Sequence, residues 1–335
     1  MSEEKKLEDI LKDFDPQSSE LKRFTAEEMP NCEKCGRANA PTRTNCIYCG
    51  ADLPVVESAK VLQKPKLTKL EEWELGFNVI LFPVPTAQLD VDQIAGYLNF
   101  STTDLKLILS AQESIPVARS ENANDAELIK SSLSKLNCET VVVSDWDLVL
   151  NDEQKRLRGV EFSEMNFIGR TLTNEKALNV AWEDVRLIIV GRTFEKRIET
   201  EEKISRKEIK ELADSRELST DKMQIDIYCA GQRIGWRISI DKFDYSCLGE
   251  EKGLTVAENL SKFIKVLRQK AKKALFDDSY NRIHTALNFV WQVETKNESL
   301  GLRRKNFGQA ISQHATISNN ENQFLRYSRL KAFLQ

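Results

Sequence analysis

Four cysteines stand in two tight pairs near the start of the chain, Cys32-Glu33-Lys34-Cys35-Gly36 and Cys46-Ile47-Tyr48-Cys49-Gly50, with ten residues between the pairs. No other feature restricts the fold as strongly. Each pair is short enough to grip one ion from two sides, and the intervening loop lets the pairs meet as a tetrahedral S4 site, the arrangement zinc favours. A glycine follows each pair, where positive φ lets the backbone curl beneath the ion and aim N–H groups at the sulfurs. A redox dithiol is the competing use of C-x-x-C, but it opens a helix beside a βαβ unit, and two pairs in so short a segment leave no room for one. Cys32, Cys35, Cys46 and Cys49 are therefore assigned to a structural Zn2+ site. Four thiolates close the shell and keep no position for water, unlike catalytic zinc. A segment this small has almost no core, so metal binding, of order 10 kcal/mol, supplies most of its folding free energy.

The chain has 335 residues, enough for two or three domains. Its 41% hydrophobic and 30% charged content is that of a globular protein. A net charge of −3 argues against a surface adapted all over to nucleic acid. No apolar run approaches the roughly 20 residues of a membrane helix, and the opening Met-Ser-Glu-Glu-Lys-Lys-Leu-Glu has no apolar signal region. Cys138, Cys229 and Cys247 follow no disulfide framework. The expectation is a cytoplasmic protein with no membrane partner.

The organisation expected is multi-domain α+β. Residues 1–28 form an acidic tail, with nine acidic against five basic side chains and Leu7, Ile10, Leu11 and Phe14 at helical spacing. The cysteine module occupies 29–53. Residues 54–72, with Pro54, Pro65 and four lysines, read as a linker. A domain of order β-α-α-β-α-β follows over 73–150, a compact sandwich with helices on one sheet face. Its strands are Phe77 to Phe82, Ile115 to Ala118 and Thr140 to Val143. Its helices are Asp90 to Leu98, a second capped by Ser101 with Asp104 at its third position, and Asp125 to Asn137.

A β-rich domain with terminal helices is assigned to 159–293. Trp182-Glu183-Asp184-Val185 turns into a buried strand reaching Gly191. The charged stretch 195–222 reads as an exposed, partly helical insertion. Met223, Ile225, Ile227 and Cys229 form a hairpin with Trp236, Ile238 and Ile240. Thr255 to Lys272 and Asp278 to Trp291 are helices, and 294–335 is a polar tail with seven basic and three acidic side chains. Phe324, Tyr327, Leu330, Phe333 and Leu334 make its end amphipathic.

Three resemblances add to this. Cys35-Gly36-Arg37-Ala38-Asn39 resembles the Cys-Gly-x-x-Asn of short bacterial zinc ribbons, and the module is similar in spacing to nucleoporin-type zinc fingers, asparagine included. Those fingers usually carry a tryptophan where this chain has Pro30. Phe77-Asn78-Val79-Ile80-Leu81 and Ala126 through Val143 resemble the C-terminal domain of the large-subunit ribosomal stalk protein. That family contacts translation factors through Gly-Leu-x-Leu-Lys-Glu-Ala-Lys. Here Asn99 to Lys106 lacks the glycines and keeps one lysine, so the resemblance implies the fold and not factor binding. The C-terminal half faintly resembles the pleckstrin-homology-like group.

The chemistry-bearing residues are few. Lys34, Arg37, Arg43 and Tyr48 are the module's possible nucleic-acid contacts, too few cations for a phosphate-tracking patch. Asp277, Asn281 and His284 share a helical face, His314 stands alone, and Asp241, Asp244, Tyr245 and Cys247 follow a strand. There is no phosphate-binding loop and no G-x-G-x-x-G. The function expected is a non-enzymatic adaptor or regulator that docks another protein. The alternatives are an RNA- or ribosome-associated factor using the ribbon with Arg303, Arg304, Lys305, Arg326, Arg329 and Lys331, and a cryptic enzyme within 159–293.

Overall fold

The computed structural model describes residues 29–41, 43, 45–53, 70, 74–85, 89–172, 176–204, 210–306 and 309–335. The chain divides into two compact units, Met1–Pro65 and Lys66–Gln335. The acidic tail, and all of the 54–72 linker except Leu70, lie outside the described residues.

The second unit begins with β1 (Phe77–Leu81), α1 (Val91–Leu98), α2 (Thr102–Ser110), β2 (Ile115–Ser120), α3 (Ala123–Lys135) and β3 (Thr140–Ser144). This is the β-α-α-β-α-β order read from the sequence, folded as an antiparallel sheet in the order β2-β1-β3. The helix starts follow local chemistry: the side chains of Asp90, Ser101 and Asn122 accept from the backbone N–H of Gln93, Asp104 and Asp125.

Short strands β4 (Lys155–Leu157), β5 (Gly159–Phe162), β6 (Asn166–Arg170) and β7 (Lys176–Ala181) come next, and β5-β6-β7 form a sheet of their own. A single turn at Trp182–Asp184 leads into β8 (Val185–Ile204), which pairs antiparallel with β9 (Lys210–Cys229); each is 20 residues long. Then come β10 (Trp236–Ser239), α4 (Val256–Lys270), β11 (Leu275–Asp277), α5 (Tyr280–Leu287), β12 (Glu294–Asn306), β13 (Gln309–Asn319) and α6 (Glu321–Phe333). The large sheet runs β12-β13-β8-β9-β10-β4, with β11 parallel to β8. α4 starts with a capping box between Thr255 and Glu258.

The apolar run Leu187-Ile188-Ile189-Val190 explains how the unit holds together. Side chains of a strand alternate between faces, and here both faces are covered. Leu187 and Ile189 join a cluster with Val79, Ile129, Leu287 and Phe324. Val185, Ile188 and Val190 join another with Ile227, Trp236 and Phe263. One strand thus separates two cores, and the first core draws on residues from 73–150, 159–293 and 294–335 alike.

Two segments differ from the sequence expectation. Residues 195–222 are strand and not helix among the described positions. Glu199 pairs with Arg216 and Thr200 with Ser215, and Lys196–Glu217 (2.8 Å) and Lys222–Glu195 (3.2 Å) link the strands. Alternating charges on a solvated ladder satisfy the backbone without an apolar stripe. Residues 294–335 are also not a tail: β13 pairs along the far half of β8, and α6 buries Phe324, Tyr327 and Leu330.

Helix α6 also caps buried charges. Arg237 donates two bonds to Asp226, both 2.7 Å, with neither side chain reaching solvent appreciably. Ser328 Oγ donates to Asp226 (2.7 Å) and accepts from Tyr228 OH (2.8 Å). Tyr327 OH donates to Asp277, which also meets Lys331 at 2.9 Å. Burial pushes the Asp277 carboxyl up, but Lys331, the Ser279 amide and Tyr327 outweigh it and hold it below the usual range.

Removing one partner of a buried pair strands the other charge, at about 3–5 kcal/mol. Asp226→Asn should lower unfolding stability by that amount in urea titrations, while Lys273→Ala, at the exposed pair with Glu183, changes it by less than about 0.5 kcal/mol. A depressed carboxyl contributes stability above its unfolded value of 3.8 that is lost as pH falls through the folded value. Asp277→Asn should therefore destabilise at neutral pH, with the difference from wild type shrinking below about pH 3.8 in acid unfolding curves.

Candidate metal centre

The first unit is built from two copies of one turn. Cys32 N donates to Arg37 O (2.9 Å) and Gly36 N to Cys32 O (2.7 Å); Cys46 N donates to Ala51 O (2.7 Å) and Gly50 N to Cys46 O (2.9 Å). Each turn is closed by a bridge, Asn31 with Ala38 and Asn45 with Asp52. Gly36 and Gly50 sit at φ +70° and +71°, the left-handed region in which a Cβ is strained. The two turns bring all four sulfurs within 4.8 Å of one another. Cys32 Sγ to Cys49 Sγ and Cys35 Sγ to Cys46 Sγ are each 3.6 Å. That is near the edge of a tetrahedron of about 3.8 Å expected for Zn–S of about 2.3 Å, and far from the S–S bond of about 2.05 Å.

Asn39 ties the turns together. It is buried, and its Nδ2 donates to Arg37 O (2.8 Å) and Cys46 Sγ (3.5 Å), while its Oδ1 accepts from Ile47 N (3.0 Å). Tyr48 N donates to Cys46 Sγ as well (3.4 Å). Burial opposes ionisation of Cys46, but the amides of Tyr48 and Cys49 with Asn39 and Cys35 bring its thiol down to about 6. At Cys35 the Arg37 amide favours the thiolate, yet burial and the sulfurs of Cys46, Cys49 and Cys32 push it up to about 11. Cys46 is the ready thiolate and Cys35 the reluctant one, and a divalent cation among them relieves the conflict. The donor set fits zinc, with Cys32, Cys35, Cys46 and Cys49 as its ligands and the chemistry that of a structural cross-link. Apolar burial adds little: Leu53 and Ala51 pack with Cys32 and Cys46.

Searched against protein-family models, curated proteins and solved structures, the chain matches none. The likenesses to the stalk protein and to the pleckstrin-homology-like group rest on motif and element order alone, and the cysteine cluster carries the likeness to zinc ribbons. Among the described residues, no helix is long and apolar enough to cross a membrane.

The other candidate residues do not converge. His284 Nδ1 meets Asn281 O, and Asn281 Oδ1 accepts from Arg192 N, whereas Asp277 is held by Tyr327 and Lys331. His314 Nε2 contacts Ser312 Oγ at 2.8 Å. Asp244 accepts from Ser246, Asp241 lies in a short turn, and Tyr245 packs on Phe243 and Phe263. Burial pushes the Cys247 thiol up to about 12, the reverse of an activated nucleophile. The C-terminal cations divide. Arg303 and Arg304 are exposed, but Arg326 meets Asp145 (2.8 Å), Arg329 meets Gln154 (2.7 Å) and Lys331 meets Glu113 (2.7 Å), all facing inward. Asp145 was not picked out from the sequence: a lone carboxylate after a strand carries no periodic or motif signal.

Asn39→Ala should weaken zinc binding by about 10–100-fold in competition with a chromophoric chelator, as loss of a partner of the ligand shell does. Zinc addition to apoprotein at neutral pH should release protons, so apparent affinity rises with pH; a weakly buffered titration with an indicator dye reads this directly.

Proposed function

We propose that the first unit is a zinc-held module that docks another protein, and that the chain acts as an adaptor or regulator. The observation that supports this is the exposure of Ile47 and Tyr48, at 61% and 56%, in the turn between Cys46 and Cys49. Apolar side chains on a turn fixed at both ends by metal ligands lose little conformational freedom on binding, which favours contact with a partner. The Arg37 guanidinium lies 4.8 Å from the centre of the Tyr48 ring and orients it. The same stacking leaves that ring face unavailable to a base, and the inward cations of the C-terminal helix leave few for phosphate, so the RNA reading has less support.

The test is affinity purification of the intact protein after in-cell cross-linking, beside an Ile47→Ser/Tyr48→Ser variant with its zinc content checked. The expected result is full zinc and loss of a protein partner in the variant. Unchanged partners, or recovery of RNA that weakens steeply with salt, would overturn the reading.

A further inference from the structure

Between Glu258 and Asp277 the chain holds six cations, Lys262, Lys265, Arg268, Lys270, Lys272 and Lys273, and no carboxylate. α4 and the turn into β11 carry them all. A helix dipole favours cations in the last turn, which accounts for Arg268 and Lys270. It does not account for Lys262 and Lys265 in the middle of the helix. Nor does it account for Arg186, which is exposed in the irregular step where β8 begins, next to Leu187, the register partner of Leu275.

Three of these cations are engaged. Lys262 donates to Glu251 O (2.6 Å), Lys270 donates to Ser163 O (3.3 Å), and Lys273 pairs with Glu183 (3.1 Å). Lys265, Lys272 and Arg186 are exposed and meet no carboxylate among the described residues. Arg268 stacks on the Phe276 ring, 3.7 Å from its centre, which holds the guanidinium flat and commits none of its N–H donors. Leu275 links the two elements, following the Lys272–Lys273 turn and lying beside β8, and it is 55% exposed. A surface built for solubility alone intersperses both signs. Uncompensated cations around an exposed leucine repel one another, and a ligand of opposite charge relieves that repulsion.

The surroundings select among anionic partners. Nucleic acid is a poor match, because the ring at this surface, Phe276, is already covered by Arg268 and offers no face for base stacking. A bilayer is also a poor match: the apolar face of α4, with Phe263 and Leu267 buried, is committed to the core and cannot enter the lipid boundary. We infer that this surface docks an acidic segment of a protein partner, its carboxylates on Lys265, Arg268, Lys272 and Arg186 and an apolar side chain on Leu275. The surface belongs to the second unit, so the inference extends the adaptor reading without depending on Ile47 and Tyr48.

Fluorescence anisotropy of the full-length, zinc-loaded protein with a labelled peptide of Glu, Asp and Leu tests it. The comparisons are the same peptide with Gln and Asn for the acids, a labelled RNA oligonucleotide, and phosphatidylserine vesicles in a sedimentation assay. The acidic peptide should bind saturably at one site per chain, at least about tenfold tighter than the neutral peptide, and more weakly as salt rises. Lys265→Glu/Lys272→Glu alters two exposed side chains that touch no partner. It should leave the melting temperature near wild type and weaken the acidic peptide at least about tenfold. Leu275→Ser should weaken that peptide by about three- to tenfold and leave a leucine-free acidic peptide unchanged. Arg303→Glu/Arg304→Glu, an exposed pair on β12, controls for bulk charge and should change binding less than about twofold. Ile47→Ser/Tyr48→Ser should bind the peptide as wild type does, which separates this surface from that of the first unit. No saturable binding, undiminished binding to folded Lys265→Glu/Lys272→Glu, an equal loss in the β12 variant, or tighter binding to RNA or vesicles would each overturn the inference.

Discussion

Four sulfurs within 4.8 Å of one another are the constraint on which the first unit depends. The amides of Tyr48 and Cys49 with Asn39 draw the Cys46 thiol down to about 6 against its burial, while burial and hydrogen bonds with the neighbouring sulfurs push Cys35 up to about 11. A divalent cation lets all four ionise together. It also takes the place of a core, since Leu53 and Ala51 are the apolar groups that pack with the buried cysteines. The exposed Ile47 and Tyr48 follow from the same constraint: two residues fit between Cys46 and Cys49, and the turn that aims the sulfurs inward leaves these side chains outward.

The second unit solves a different problem. The first part of its central strand β8, Val185 to Val190, is apolar on both faces, so one hydrogen-bonded ladder organises two cores. The C-terminal helix then supplies further donors to buried carboxylates: Ser328 to Asp226, Tyr327 and Lys331 to Asp277, Arg326 to Asp145. An unpaired buried charge costs several kcal/mol, so these contacts fix the register of α6 against the sheet. At Asp145 the same economy of charge holds two guanidiniums, those of Arg119 and Arg326, on one buried carboxylate.

What the sequence made legible was what depends on local pattern. The cysteine spacing, the glycines at positive φ, the cap at Ser101 and the β-α-α-β-α-β order are all set by neighbouring residues, and the structure shows each of them. What depends on distant partners was not legible. Residues 195–204 alternate charges and lack an apolar period, so nothing local marks them as strand; pairing with 210–221 and with β13 does. Arg326, Arg329 and Lys331 look like a basic tail until Asp145, Gln154 and Glu113, far away in the chain, are placed beside them. Tyr245 and Cys247 stand out in the sequence only as chemistry-bearing residues after a strand, and the aromatic packing of Phe243 and Phe263 around Tyr245 accounts for that position.

The fold of the first unit depends on the metal. X-ray absorption at the zinc edge of purified full-length protein, with metal content measured on the same sample, reads both stoichiometry and ligands. The prediction is one zinc per chain with a single shell of four sulfurs at about 2.3 Å. A shell with nitrogen or oxygen ligands, or metal-free protein in which Cys32 and Cys49 are joined as a disulfide, would contradict it.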